Sequence, residues 1–212
     1  MSWTRRNALA ALPAAAFLPA FAGAQPTAQP IAAPPKDPLL APCLLIGGRK
    51  QIENCSYALK KLQSDEAKAF AKAEIDEHET IKKNLKGLGY DYPVTAAPGT
   101  QPNQPTAWSV TAGAAKLPTE AAAMVAVDHE VADRCILNYR SEMDKLSGKE
   151  FDKRFIGHQL DEHMTLLDKV QTFRRHASPK METVLADGQK TIETHIATLK
   201  RIMAGLDKGK AE

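Results

Sequence analysis

The chain has 212 residues, 43% of them hydrophobic and 25% charged, and its 28 basic and 25 acidic side chains give a formal net charge of +3. That length is sufficient for one domain with a substantial apolar core. The sequence contains no cluster of lysine and arginine with interleaved aromatic residues, which a groove that follows nucleic-acid phosphates requires. Nucleic acid is therefore not an expected partner.

The first residues have the features of an export signal. Arg5 and Arg6 precede an alanine-rich apolar run that ends in small residues at Ala22 and Ala24, which is the order of a signal peptide and its cleavage site. The run is too short and too broken by proline to span a membrane. We expect cleavage after residues 1–24 and a periplasmic or envelope-associated mature chain with no transmembrane segment. Its net charge is +1, because 26 basic and 25 acidic residues remain.

The route of export has two interpretations. The paired arginines resemble the bacterial twin-arginine motif, although Ala8 stands where phenylalanine is usual. The general secretory route therefore stays open beside the twin-arginine route.

Two proline-rich segments divide the rest of the chain. Residues 25–42 lack periodicity, which predicts a disordered linker. A second such segment, 90–118, interrupts the domain as a long loop, and we expect Trp108 to pack this loop onto the body. These boundaries predict a helical domain over 43–206 and a polar tail over 207–212.

Between these segments the pattern is helical, because no period-two run of β-branched residues occurs and glycine falls mainly at element ends. Serine or threonine followed by acidic residues marks helix starts, as at Ser64 and Thr119. Short connections after three of the helices make consecutive helices antiparallel neighbours. The predicted fold is all-α, an up-down bundle with helices over 43–62, 64–87, 119–146, 150–176 and 179–205.

Four of the five helices turn one histidine toward the bundle interior, within an apolar stripe. They are His78, His129, His163 and His195. Counting residues from the turns places His163 and His195 within ~3 Å of one height, and His129 within ~6 Å of His163. These three are expected to approach one level of the bundle. The long loop prevents the same count for His78.

Two interpretations of these histidines stay open. In the first, each is satisfied by a neighbouring polar group, as in a Glu74–His78 pair or a more exposed His158–Glu162 pair. In the second, neutral imidazoles bind a transition-metal ion, with Glu74 and Glu162 as oxygen donors. The Glu-x-x-His spacing of ferritin-type di-iron sites is absent, because Glu74 precedes His78 by four residues and Glu162 adjoins His163.

The three cysteines, Cys43, Cys55 and Cys135, match no zinc motif and are too few for a disulfide framework. If the first helix is continuous, Cys43 and Cys55 lie about 18 Å apart and cannot be joined. A bridge from Cys135 to either of them stays open in an oxidising compartment, as do three buried free thiols.

No motif for nucleophilic catalysis occurs, since no serine lies in a glycine elbow and no cysteine has a histidine at a diagnostic spacing. Catalysis is therefore not expected. An enzyme whose substrate enters a pocket beneath Trp108 remains a third hypothesis.

Residues 45–92 and 145–205 resemble an exported helical family, domain of unknown function 4142, often labelled "predicted outer membrane protein". The marks of the resemblance, in chain order, are Glu77-His78, Gly148 with Phe151 and Asp152, His163, and His195 with Leu199. The resemblance implies a ferritin-like four-helix bundle outside the cytoplasm, here with an additional helix, and no established activity. The chain departs from the family at Gln51, where a glutamate is frequent, and in its longer third helix.

The favoured hypothesis is an exported, non-catalytic bundle that acts as a binding or envelope-stress module, with a small ligand or a metal as its expected partner. The alternative is a transition-metal-binding protein that uses the inward-facing histidines. Its candidate ligands are Glu74, His78, His129, Glu162, His163 and His195. The cofactor is then a transition-metal ion of unknown identity, and the oligomeric state stays open.

Overall fold

The computed structural model describes residues 36–92, 94–96, 108–110 and 119–208. Within them the chain forms five α-helices and two three-residue strands. In chain order these are α1 (Asp37–Ala58), α2 (Asp65–Gly87), β1 (Val94–Ala96), β2 (Trp108–Val110), α3 (Thr119–Met143), α4 (Gly148–Arg174) and α5 (Pro179–Lys208). The helices predicted from periodicity are all present.

The start of α2 shows the capping chemistry that the sequence predicts. Ser64 has an extended backbone, and its hydroxyl accepts a hydrogen bond from the backbone N–H of Ala67 at 3.3 Å. Asp65 and Glu66 occupy the first turn, where negative charge is favoured by the helix dipole. The predicted N-terminus of this helix is therefore confirmed.

Helix α1 begins at Asp37, six residues before the predicted start, so the proposed linker over 25–42 is wrong for its last six residues. Pro38 lies in the first turn, where a missing N–H costs nothing. Leu40 and Ala41 are buried. Their burial stabilises a helical turn in a segment whose proline content had predicted a disordered linker. The rest of the predicted linker up to residue 35 lies outside the described residues, as does the predicted signal.

The all-α prediction also needs a correction within the long loop. Strands β1 and β2 form an antiparallel ladder in which Val94 pairs with Val110 and Ala96 pairs with Trp108. Each strand has only three residues, which is too few to show a period-two pattern, so these strands could not be predicted from alternation. The Trp108 side chain and the pocket predicted beneath it lie outside the described part of the structure.

The helices form two hairpins, α1–α2 and α4–α5, with α3 packed against α1 and touching α4. Two apolar clusters fill the interior. One contains Phe151, Phe155 and Leu199, and the other contains Leu85 and Met181. On α2, α4 and α5 the stretch between these clusters carries the inward-facing polar residues, so any site formed there is enclosed by apolar packing at both ends.

An aspartate from each hairpin binds the turn of the other. Asp152, near the start of α4, accepts hydrogen bonds from the backbone N–H groups of Gln63 (3.0 Å) and Ser64 (2.7 Å) in the α1–α2 turn. Asp37, the first residue of α1, accepts from the backbone N–H (2.8 Å) and the hydroxyl (2.5 Å) of Ser178 in the α4–α5 turn. Both carboxylates are buried. These contacts fix the relative height of the two hairpins.

No helix within the described residues is long and apolar enough to cross a lipid bilayer.

Replacing Asp152 tests whether these contacts hold the hairpins together. Asp152→Ala leaves two backbone N–H groups without their charged acceptor, and a hydrogen bond to a charged group contributes about 1.5–3 kcal/mol. We expect the free energy of unfolding, measured by urea denaturation, to fall by about 3 kcal/mol. The matched control is Glu150→Ala, on the exposed side of the same helix end. It loses only a helix-dipole interaction of about 0.3–1 kcal/mol, and equal effects of the two substitutions would contradict the role of Asp152.

Candidate metal centre

Three potential ligand atoms from three helices converge between the two apolar clusters. Glu74 of α2, His163 of α4 and His195 of α5 form this group. Glu74 Oε1 lies 3.1 Å from His163 Nε2 and 2.6 Å from His195 Nδ1, and the two ring nitrogens are 3.2 Å apart. The side chains of Glu74 and His163 are each only 2% exposed. We refer to these three residues as the triad.

The protonation of His163 is constrained by its backbone surroundings. Its Nδ1 lies 2.7 Å from the carbonyl oxygen of Gln159, one turn earlier on α4. A carbonyl oxygen only accepts, so Nδ1 carries a proton and donates. In the neutral ring, Nε2 therefore presents its lone pair to Glu74 Oε1 and His195 Nδ1. This is the tautomer that a metal bound at Nε2 requires.

His195 has carboxylates at both ring nitrogens. Nδ1 faces Glu74, and Nε2 lies 3.2 Å from Oε2 of Glu77, whose side chain is 40% exposed. Burial lowers the pKa of His195, but its contacts with Glu74 and Glu77 outweigh burial and raise it above the ordinary value. Glu77 therefore holds the outer nitrogen of the ring in place as an acceptor.

Glu74 is a buried carboxylate that stays charged. Burial alone would raise its pKa, but hydrogen bonds from His163, His195 and His78, when these rings carry a proton directed at the carboxylate, hold the pKa far below the ordinary value. Its second oxygen, Oε2, is buried, has no hydrogen-bond partner among the described residues and lies 3.4 Å from His78 Nε2. The group of one carboxylate and three imidazoles is therefore built around a fixed negative charge.

The separations within the triad resemble those of ligands around one ion. Protein nitrogen and oxygen atoms bind zinc at about 2.0–2.2 Å, so two ligands of a tetrahedral ion are about 3.3 Å apart. The distances of 3.1 Å and 3.2 Å from His163 Nε2 lie near this spacing, whereas the 2.6 Å between Glu74 Oε1 and His195 Nδ1 is a hydrogen-bond distance that an ion would have to widen. Phe70 covers one side of the triad, with its ring centroid 5.8 Å from that of His163 and 5.3 Å from that of His195. The triad thus has apolar support on that side.

A cavity of about 550 Å³ adjoins the triad and is lined by residues of α1, α2, α4 and α5. Glu74, His163 and His195 belong to its wall, so the triad borders this space.

His129 does not join the triad, although counting along the helices placed it near the same height. It is fully buried on α3 and accepts a hydrogen bond at Nε2 from Arg49 of α1, while its Nδ1 lies 3.5 Å from Asp133. Helix α3 packs mainly against α1, so its inward face meets Arg49 and not the triad. The positively charged guanidinium of Arg49 already binds His129 Nε2. The prediction that His129 belongs with the other ligand candidates is therefore not supported by its position.

Glu162 is also separate from the triad. Its Oε2 accepts a hydrogen bond from Lys50 Nζ at 2.6 Å, and its Oε1 lies 3.9 Å from His158 Nε2. Successive helical residues point about 100° apart, so Glu162 cannot face the triad while the adjacent His163 does. Its charge is balanced by Lys50. The predicted His158–Glu162 pair is adjacent but not hydrogen-bonded, because His158 Nε2 has no hydrogen-bond partner among the described residues.

The three cysteines are free in the structure. Cys43 and Cys55 both lie on α1, which is the condition under which the sequence predicted that they could not be joined. Cys135 is exposed on α3. Burial raises the pKa of the Cys55 thiol well above its ordinary value, which makes it a packing residue with little thiolate character.

Two residues that contribute to the site, Gln159 and Gly48, were not predicted from the sequence. Gln159 acts through its backbone carbonyl, for which the only available signal is its position four residues before His163. Gly48 acts by its lack of a side chain, because a Cβ at this position would lie 3.2 Å from His78 Nδ1. A glycine inside a helix indicates close approach, but the sequence does not say to which partner.

The adjacent glycines of α1 provide a test of this close approach. A Cβ at Gly47 would have no atom within 4 Å, so Gly47→Ala should raise the free energy of unfolding by up to about 1 kcal/mol through helix propensity. Gly48→Ala should raise the free energy of unfolding by less than Gly47→Ala does, or lower it, because the new Cβ displaces the His78 ring. Denaturant unfolding of both variants, repeated in a His78→Ala background, measures this difference. A difference that persists without the imidazole would contradict the assigned contact.

Comparison with curated proteins found no match, and comparison with solved structures also found none. A family model described as "Domain of unknown function (DUF4142)" matches residues 22–202. The match runs from before α1 into α5, up to residue 202, and includes every residue of the triad. This confirms the resemblance seen in the sequence. The chain belongs to the family Domain of unknown function (DUF4142).

Proposed function

We propose that this protein binds a divalent transition-metal ion through Glu74 Oε1, His163 Nε2 and His195 Nδ1. The observation that carries the proposal is the contact of His163 Nδ1 with the Gln159 carbonyl. It directs the other nitrogen of the ring at a buried carboxylate oxygen and a second imidazole. A cation between the three atoms satisfies all of them at once.

Without a metal, the same atoms are satisfied only if a histidine is protonated. A neutral His163 places the lone pair of Nε2 3.1 Å from an oxygen of Glu74 that also only accepts. The contact is then repulsive in a site with almost no solvent exposure. A metal ion removes this repulsion and leaves the two outer protons, on His163 Nδ1 and His195 Nε2, donating to Gln159 and Glu77. Such outer contacts are usual for histidines that bind metals.

The donor set limits the class of ion. Two imidazoles and one carboxylate suit zinc, copper, nickel or non-haem iron(II), whereas calcium and magnesium prefer sites made of oxygen. Three protein ligands leave positions open for water or a further ligand. His78, which lies close to Glu74 Oε2, completes the polar surroundings. A ferritin-like bundle is part of this proposal, since such bundles build metal sites from side chains on facing helices.

The metal proposal predicts that the purified protein binds one Co(II) or Zn(II) per chain. At a metal concentration one hundred times the Kd, binding should raise the free energy of unfolding by about 2.7 kcal/mol. His163→Ala and His195→Ala should each remove this gain, because each deletes a ligand. Calorimetric titration and thermal unfolding with and without metal give the two measurements.

The matched control is His176→Ala, which removes an exposed histidine from the α4–α5 turn and should bind metal as the parent does. Circular dichroism verifies that each variant is folded. A parent protein that takes up no transition metal, or triad variants that bind as tightly as the parent, would refute the proposal.

The alternative function is a non-catalytic module with no metal, as first favoured from the sequence. The raised pKa of His195 supports it, because a protonated His195 between Glu74 and Glu77 joins α2 to α5 by an ion pair. Protein isolated without metal from its native compartment, with unfolding unaffected by added metal or chelator, is the outcome that this alternative requires.

We also propose that the chain is exported after cleavage near Ala24, on the evidence of the paired arginines and the alanine-rich run that follows. N-terminal sequencing of protein from a periplasmic fraction should begin near Gln25. Lysine at both Arg5 and Arg6 preserves the charge and should block export only by the twin-arginine route. A full-length chain confined to the cytoplasm of its native host would contradict the proposal.

A further inference from the structure

We propose that the open face of the metal centre binds the carboxylate of a small linear monocarboxylate, whose alkyl chain occupies the adjoining cavity. This inference rests on the proposed metal function and adds the class of ligand. Its test separates the two, because metal uptake is measured before any carboxylate is added.

The cavity has the size and lining of a small-molecule site. Its volume of about 550 Å³ falls within the range of about 300–1,000 Å³ that such sites occupy. Its apolar wall is formed by Ile81 of α2, Leu166 and Val170 of α4, and Leu185 and Ile192 of α5. Polar and charged residues line the rest of the wall, among them Asp76, Thr165, Lys169 and Asp187. A ligand with one polar end can place that end at the triad and its alkyl chain against the apolar residues.

A missing side chain on α5 leaves this space open. The inward positions of α5 follow a heptad spacing through Leu185, position 188 and Ile192, and position 188 is Gly188. A Cβ at Gly188 would have no atom within 4 Å, and Gly188 belongs to the cavity wall. A leucine at this position would extend into the cavity, so the glycine keeps open a space that the helix pattern would otherwise fill.

The charge of the metal centre selects an anionic head. A divalent ion with one carboxylate, Glu74, and two neutral imidazoles keeps a net charge of +1 next to an apolar wall. The charge of Glu77 lies beyond the His195 ring and is partly solvated, and that of Glu162 is paired with Lys50. The remaining charged wall residues, Asp76, Lys169 and Asp187, are exposed, so solvent screens their charges. One monoanion bound at the open face neutralises the net charge of the ion and its three protein ligands. A carboxylate supplies an oxygen donor, which divalent transition-metal ions accept.

The cavity is accessible from solvent. Its wall includes the exposed residues Thr80, Lys169 and Asp187, so a ligand can enter without unfolding of the bundle. A linear chain suits this shape better than a bulky one, because one end must reach the triad between helices.

The test uses the full-length mature chain loaded with Co(II), whose visible spectrum reports changes in its ligands. Acetate, butanoate, hexanoate and octanoate are added in turn. We expect each to alter the cobalt spectrum, and we expect the Kd to fall by about fourfold for each methylene that enters the cavity. Failure to bind Co(II) overturns the metal proposal. Cobalt binding with no response to carboxylates, or with a Kd independent of chain length, overturns this inference alone.

Gly188→Leu separates the cavity from the metal. It should leave Co(II) and acetate affinity within about twofold of the parent and abolish the gain from chain length, because the leucine side chain occupies the space of the alkyl chain. The matched control is Gly205→Leu, on the same helix but at an exposed position outside the cavity wall. It should show the parental dependence on chain length. A parental dependence in Gly188→Leu as well would overturn the assignment of the cavity.

Discussion

The constraint on which the arrangement depends is the charge of Glu74 in the interior of a helical bundle. An unpaired carboxylate in such a place is strongly unfavourable. The fold responds by directing His78, His163 and His195 at its two oxygens and by packing apolar clusters above and below. The imidazoles are therefore not independent features of three helices. All three point at the same carboxylate, while the Gln159 carbonyl and Glu77 hold the outer nitrogens of His163 and His195.

Much of this arrangement was predictable from the sequence. The helices follow from periodicity and capping, and the heights of His163 and His195 follow from counting across one short turn. The distance between their facing nitrogens, 3.2 Å, agrees with that count. The count did not succeed for His129, because the height of a residue does not give the direction in which it points around the helix axis. Arg49 on a different neighbour meets it first.

Other parts had no usable signal. The early start of α1 depends on contacts between Asp37 and a turn about 140 residues later, which no local pattern contains. Gly188 resembles any glycine within a helix, and only the positions of four helices show that it adjoins a space. A close approach or a cavity depends on where neighbouring helices leave no side chain. A pattern of residue types along one helix does not contain that information. This is why the triad was anticipated in part and the cavity was not.

The exchange of aspartates between the two hairpins has a consequence for how the centre assembles. Asp37 and Asp152 each complete a turn that their own hairpin leaves unsatisfied, so neither hairpin closes its backbone hydrogen bonds alone. The triad draws one residue from the first hairpin and two from the second. Glu74, His163 and His195 therefore come together only when the two hairpins dock, and either hairpin alone carries only part of the triad.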